Sequence, residues 1–158
     1  MYEALSRPPW LWFAFVGSVV GLLGSLAVYG ASLAKWSIPT YAMALHIWAF
    51  VVFVPVICAI KCWGIREGFA ARPSVREQWR MQRAMGYLLP AWQRWLVGIA
   101  CAFALANFAW GFSRIRGGEM TQFSYTLFAG HWSFFYLIIS LYARRFLSPD
   151  LDGIDTAA

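Results

Sequence analysis

The sequence contains few charged residues, and this scarcity excludes an ordinary soluble domain. Asp, Glu, Lys and Arg make up 13% of the 158 residues, against about 25% in a soluble globular domain. Hydrophobic residues make up 61% and aromatic residues 19%. This composition is typical of a protein whose solvent is the lipid bilayer, with aromatic side chains at its interfaces.

Catalytic motifs are also lacking. The sequence contains no phosphate-binding loop, no Gly-x-Ser-x-Gly and no His-Glu-x-x-His. All seven acidic residues lie in predicted loops or tails, so acid–base chemistry inside a membrane would depend on histidine and tyrosine. We therefore predict neither catalytic residues nor a metal site. The three cysteines form no Cys-x-x-Cys motif, and we interpret them as small buried apolar residues: Cys58, Cys62 and Cys101.

Four long hydrophobic runs occupy most of the chain and predict an all-α fold. A helix needs about 20 apolar residues to cross a bilayer, and each run is long enough. We predict a single integral-membrane domain over 1–158, with transmembrane helices at about 9–34, 41–63, 90–112 and 122–146. Because short links join the first two runs and the last two, we expect a four-helix bundle with up-down-up-down topology.

The polar loop 64–89 between the second and third runs predicts one further, shorter helix. Ser74 is a helix-capping residue and Glu77 follows three positions later, which is the pattern of a capping box. We expect a basic interfacial helix at the lipid headgroups, with a solvated positive loop as the alternative. Its predicted membrane-surface residues are Arg76, Arg80 and Arg83, and its apolar contacts are Val75, Trp79, Met81 and Met85.

Lys and Arg are distributed unevenly between the two predicted sides of the bundle. Ten of the 13 lie on the side of the termini and the long loop, and three lie on the other side. Since cytoplasmic loops carry the excess of Lys and Arg, we predict that both termini, the loop 64–89 and the tail 149–158 are cytoplasmic. This distribution accounts for the net charge of +6 without a nucleic-acid partner.

Small residues recur at helical spacing in the first and third runs. In lipid such stripes allow two helix backbones to approach closely, and van der Waals contacts then drive association. Two interpretations stay open for the first stripe: packing within this bundle, or contact with a second copy. The predicted helix-packing residues are Gly17, Gly21, Gly24, Gly98, Ala102 and Ala106.

Three polar side chains lie inside the hydrophobic runs, and a polar group in hydrocarbon requires a partner. By helical rise, His46, Asn107 and His131 lie roughly 9, 8 and 14 Å from the same membrane face. Tyr29 and Tyr125 lie at comparable depth. We therefore predict a buried polar cluster formed by these five residues.

Three functions for this cluster remain open. It fixes helix register in a non-enzymatic membrane subunit, which self-associates or serves a larger complex; this is the preferred interpretation. Alternatively, His46 and His131 are the axial ligands of a b-type haem, with Gly130 beside the macrocycle. In the third interpretation the cluster lines a proton or ion pathway, although two histidines without a carboxylate make a poor metal cage. The cofactor therefore stays unknown.

Several short strings resemble a family of small, uncharacterised four-helix proteins of the bacterial inner membrane. The strings are Leu45-His46, Pro90-Ala-Trp92, Asn107-Phe108 and, most specific, Gly130-His131-Trp132-x-x-Phe135-Tyr136. The resemblance spans all four hydrophobic runs. It implies an inner-membrane location and a role for His131, and it implies no activity.

Overall fold

A computed structural model describes residues 9–38, 42, 44–115 and 120–148, with the backbone alone for 112–115 and 120–128. These residues form helices joined by short links, and an all-helical fold is thereby confirmed for the described part of the chain. In order along the chain the helices are α1 (Pro9–Leu33), α2 (Ala44–Arg66), α3 (Val75–Leu88), α4 (Ala91–Ile115) and α5 (Met120–Leu147).

Three of these helices are long and apolar enough to cross a membrane. They are α1, α2 and the part of α4 from Ala91 to Gly111. Their bounds agree with the first three predicted runs to within three residues at each end. Helix α5 contains the fourth run; a count of four spanning helices and their up-down-up-down order stay predictions.

The core lies where α1, α2 and α5 meet. The most extensive contact joins α1 to α5, while α4 packs mainly against α5. Alanine and valine dominate the α1–α2 side of this core, which lets the helices approach closely around a few large side chains of α5. The buried core residues are Ala14, Ala49, Val52, Val56, Tyr136, Ile139 and Ala143.

Helix α3 confirms the helix predicted within the loop 64–89. The Ser74 side chain accepts a hydrogen bond from the Glu77 amide at 3.4 Å, and the Glu77 carboxylate accepts one from the Ser74 amide at 2.9 Å. These reciprocal bonds are the predicted capping box. The sequence therefore encodes the start of α3 locally, in four consecutive residues.

The interpretation of the cysteines as buried residues is wrong for two of them. Cys58 and Cys62 are exposed on α2, and Cys101 is half-buried on α4. The burial rule comes from soluble proteins, in which apolar side chains avoid water. On a helix long enough to span a bilayer, an apolar side chain is equally well solvated by lipid, so hydrophobicity does not predict which face is inside.

Candidate functional site

The glycines of α1 form the closest contacts with neighbouring helices. A Cβ atom added to Gly17 would lie 2.7 Å from Cγ1 of Val52 and 3.0 Å from the Trp48 ring, both on α2. The Trp48 indole N–H donates a hydrogen bond to the Gly17 carbonyl at 2.9 Å. Only a residue without a side chain leaves room for this approach of α2 to the α1 backbone.

Gly21 lies under the ring of Tyr136 on α5, in the space that a Cβ would occupy. Tyr136 is 0% exposed, and its hydroxyl donates a hydrogen bond to the Leu45 carbonyl of α2. One side chain of α5 therefore touches α1 with its ring and α2 with its hydroxyl. Gly24 continues the stripe, because its added Cβ would lie 3.2 Å from the Leu45 side chain.

The small residues of α4 have a different environment. An added Cβ at Gly98 would meet no atom within 4 Å among the described residues. Ala102 and Ala106 are exposed, whereas Ala104, Asn107 and Gly111 are buried. At 100° per residue the exposed set lies on the side of α4 opposite the buried set. We call Gly98, Ala102 and Ala106 the outer face of α4.

Asn107 lies where α4 meets α5. It is only 5% exposed, and its side-chain amide fills the space that a Cβ of Gly130 would occupy. The Tyr29 ring of α1 lies 3.3 Å from the same point. The structure thus brings Tyr29 and Asn107 together. The close approach at Gly130 is made by an amide of α4, and the haem-related interpretation of this glycine stays a prediction.

Serine hydroxyls complete this junction on the α1 side. Ser25 of α1 and Ser133 of α5 both donate hydrogen bonds to the Ala129 carbonyl, at 2.7 and 2.8 Å. A carbonyl has two lone pairs, so it can accept both bonds. The Ser25 bond ties α1 to the backbone of α5 directly beside Gly130.

The two histidines both lie against Trp132. The ring centroids of His46 and Trp132 are 5.4 Å apart in an edge-on arrangement, and those of His131 and Trp132 are 6.4 Å apart. His131 also lies 5.0 Å from Phe135 and 6.3 Å from Phe108 of α4. Aromatic rings of α4 and α5 therefore surround the half-buried ring of His131. Its predicted hydrogen bond to Asn107 or His46 stays a prediction.

The described residues of the predicted polar cluster lie around α5, and a cluster joined by hydrogen bonds stays a prediction. Tyr29 and Asn107 meet at Gly130, whereas His131 lies on the side of α5 away from Ala129 and α1. The side chain of Tyr125 lies outside the described residues. Two consecutive residues, Gly130 and His131, therefore point toward different neighbours, as expected for a helix with 100° per residue.

Sequence reasoning named Trp132 and Tyr136 in the most specific string but gave neither a structural role, although both organise the site. Their large aromatic side chains recur in a sequence with ten tryptophans and seven tyrosines, so residue type alone marks neither. For Tyr136, the glycines of α1 were a sequence signal that a large side chain packs there. Glycines at Gly17 and Gly21 indicate that a large side chain from another helix fills the space they leave.

The predicted membrane-surface residues all lie on the accessible side of α3. Arg76, Arg80 and Arg83 are exposed, whereas Met81, Met85 and Leu88 are half-buried or buried. The helix keeps its methionines toward the rest of the protein. Val75 and Trp79, which the sequence assigned to the same apolar contacts, are instead exposed beside the arginines within the described part of the chain. Their apolar contacts with lipid stay a prediction.

Comparisons of the chain with protein-family models, curated proteins and solved structures found no match. The resemblance of the Gly-His-Trp-x-x-Phe-Tyr string to small inner-membrane proteins therefore stays a prediction.

Proposed function

We propose that this protein is a non-enzymatic integral membrane subunit that self-associates through the outer face of α4. The observation that carries the proposal is the open space around Gly98, on a spanning-length helix whose opposite side packs on α5. Helices α1, α2 and α4 cross the bilayer, α5 supplies the fourth span, and both termini are cytoplasmic, as the distribution of Lys and Arg predicts.

The pattern Gly98-x-x-x-Ala102-x-x-x-Ala106 suits contact with another helix. Side chains of this size let two backbones approach, which increases van der Waals contact and favours hydrogen bonds between helices. The equivalent stripe on α1 is already covered by Trp48, Val52 and Tyr136. The outer face of α4 is therefore the stripe that remains available for association.

A second copy of the chain is the partner that we propose. Copies inserted with the same orientation are related by a twofold axis along the membrane normal, which places the same face of α4 against itself. Small side chains opposite small side chains make such a contact self-complementary. Trp95, which is 75% exposed beside the stripe, would add apolar area at its edge.

The test is the substitution Gly98→Leu, with Gly30→Leu as its matched control. Both glycines lie on exposed helix surfaces, and an added Cβ meets no described atom within 4 Å at either position. The two variants therefore add the same side chain to open surface of α4 and α1. We expect Gly98→Leu to weaken dimerisation about tenfold or more, a change of about 1.4 kcal/mol, and Gly30→Leu to leave it unchanged.

Dimerisation is measured by energy transfer between two labelled populations in mild detergent micelles as the ratio of protein to detergent is varied. A monomeric wild-type protein at all ratios, or equal weakening by the two variants, would show that α4 is not a self-association surface. In the first case, the accessory-subunit version of the proposal would replace the self-associating one.

The geometry favours the register-fixing interpretation of the polar cluster over the two alternatives. A haem held by His46 and His131 would need a flat slot between the two imidazoles, and the Trp132 ring lies against both. A proton or ion pathway would need a continuous polar lining, whereas His131 is surrounded by Phe108, Trp132 and Phe135. The described contacts are those of helices held in register.

A further inference from the structure

A short connection holds the C-terminal end of α3 close to the start of α4. Leu89 and Pro90 separate it from α4, and two extended residues span about 7 Å. Residues 67–74 separate it from the end of α2. Since α2 and α4 are both long and apolar enough to cross the bilayer, this link places the C-terminal end of α3 beside the headgroup layer, which is about 6 Å thick on each side.

The inner side of α3 is attached to the bundle at two points. A Cβ added to Gly64 of α2 would lie 3.0 Å from the Met81 sulfur, so Met81 occupies the space beside this glycine. The Tyr142 hydroxyl of α5 donates a hydrogen bond to the Met85 carbonyl at 3.3 Å. Leu88 and Leu89 are buried at the end of the helix. These contacts determine which side of α3 faces outward.

The outward side combines positive charge with exposed apolar surface. Val75 and Trp79 are 74% and 63% exposed, and they lie within 140° of the three arginines around the helix axis. We call Val75, Arg76, Trp79, Arg80 and Arg83 the basic face of α3. The one carboxylate of α3, that of Glu77, is engaged in the capping box with Ser74.

We propose that the basic face of α3 binds the headgroups of anionic phospholipids in the leaflet beside it. Arginine presents a planar fork of N–H donors that matches a phosphate oxygen pair. Tryptophan and valine at headgroup depth bury apolar surface that would otherwise contact water. Three arginines beside an anionic surface attract it electrostatically, and uncharged lipid lacks this attraction.

A lipid surface fits this face better than a soluble polyanion does. Arginine alone would suit a nucleic acid or an acidic peptide, but the exposed Val75 and Trp79 lie among the arginines and require apolar surroundings. The two-residue link to α4 also keeps the C-terminal end of this face close to the end of a helix long enough to span the bilayer. Lipid headgroups are therefore present at high local concentration, whereas a soluble partner would first have to diffuse to the protein.

The experiment compares retention of two lipids by the full-length protein in mild detergent. Phosphatidylglycerol and phosphatidylcholine are titrated separately, and bound molecules are counted by native mass spectrometry. The test variant carries Arg76→Gln, Arg80→Gln and Arg83→Gln; glutamine keeps the helix propensity of α3. The control variant carries Lys61→Gln, Arg72→Gln and Arg144→Gln, which removes the same charge from exposed positions off the basic face.

We expect the wild-type protein to retain phosphatidylglycerol in preference to phosphatidylcholine, and the test variant to bind phosphatidylglycerol at least about tenfold more weakly. The control variant should change by less than about twofold, since its charges lie off the face. Retention by the wild-type protein should also fall as salt rises from about 0.05 to 0.5 M. This last measurement needs no substitution, so it tests the proposal even if the test variant folds poorly.

Four results would overturn the proposal. They are equal retention of the two lipids, equal weakening in the two variants, salt-independent retention, and displacement of phosphatidylglycerol by equimolar inorganic phosphate, polyglutamate or a single-stranded RNA oligonucleotide. Displacement by phosphate would identify a free-anion site, and displacement by one of the polymers would identify a soluble partner. Loss of self-association in Gly98→Leu leaves these lipid measurements unchanged, so the two proposals fail independently.

Discussion

Helices α1 and α4 have the same length and both carry a stripe of small residues, but one stripe packs inside the bundle and the other faces outward. Each has 25 residues and a small residue at every fourth position over two turns. In α1 the stripe is covered, with Gly17 against Val52 and Gly21 under Tyr136. In α4 it faces outward, and Gly98 has open space around it within the described part of the chain.

This difference shows that a stripe of small residues marks a possible close approach without identifying the partner. Helix α1 is covered on two sides, by α2 and α5, while α4 packs mainly on α5 through its other side. The buried side of α4 carries a polar contact, Asn107 on Gly130. The glycine that lets α4 approach α5 is therefore Gly130 of α5, and the small residues of α4 itself are not part of this contact.

The largest effect is expected from placing the same side chain in each stripe. Gly21→Leu forces a branched side chain into the space of the Tyr136 ring, and such overpacking should lower the free energy of unfolding by about 3 kcal/mol. In monomeric protein at a high ratio of detergent to protein, Gly98→Leu adds its side chain to open surface and should change the free energy of unfolding by less than about 0.5 kcal/mol. Unfolding of detergent-solubilised protein by sodium dodecyl sulfate, followed by tryptophan fluorescence, measures both.

Equal free energies of unfolding for Gly21→Leu and Gly98→Leu would show that the stripe of α1 is no more covered than that of α4. Val16→Leu serves as a second reference on α1 itself, because Val16 is exposed on the same helix as Gly21. A loss of stability in Val16→Leu as large as that in Gly21→Leu would mean that α1 does not present one covered face.

A smaller effect is expected at the inner contact of α4. Gly130→Ala places a methyl group where the Asn107 amide lies, so it should lower the free energy of unfolding by about 1–2 kcal/mol. The double variant Gly130→Ala, Asn107→Ala should recover part of this loss of stability. The shorter side chain at position 107 removes the clash with the new methyl group. A double-mutant cycle measured by the same unfolding assay gives the coupling between the two positions.

Additive effects of Gly130→Ala and Asn107→Ala would contradict this assignment. The two residues would then not share a contact, and α4 would have to be held against α5 by other groups. The statement that α4 packs on α5 through Asn107 and Gly130 would then be wrong.

The smallest effect is expected in α3, which lies outside the α1–α5 core. Hydrogen bonds from the Ser74 backbone and then its side chain, with Arg80 nearby, hold the pKa of Glu77 below its usual range. A carboxylate with a lowered pKa stabilises the folded state above its unfolded pKa, and this contribution is lost as pH falls through the folded pKa. We expect amide exchange of α3 to accelerate below about pH 4, relative to α1.

Glu77→Gln is the control for this pH dependence, because it keeps a side-chain acceptor and removes the titration. Its α3 amides should exchange faster than those of the wild-type protein at pH 7, with a weaker dependence on pH. Unchanged protection of α3 in the wild-type protein between pH 7 and pH 3 would show that the capping box does not hold the helix in solution.

The sequence predicts those parts of the structure that depend on nearby residues. The hydrophobic runs indicate helices because each run must satisfy its own backbone hydrogen bonds in lipid. The start of α3 is predicted from Ser74 and Glu77, which lie one turn apart. The charge distribution predicts an orientation by the same kind of local counting.

Contacts between helices are not predicted in this way. Gly21 and Tyr136 are 115 positions apart, and nothing near Gly21 distinguishes its future partner from the other aromatic residues. The hydrophobic pattern of α1 and α4 does not separate an inner from an outer face, because lipid and protein interior are both apolar. The polar cluster was predicted from depth alone, and depth does not specify which side of α5 each residue faces.

The order of synthesis gives one of these contacts a further consequence. Ser25 of α1 bonds the Ala129 carbonyl of α5, which is made 104 residues later. Until the last helix enters the membrane, the Ser25 hydroxyl can bond only its own helix or its early neighbours. The first and last spans therefore meet after insertion, and a ribosome that stops before α5 leaves the glycines of α1 without the ring that covers them.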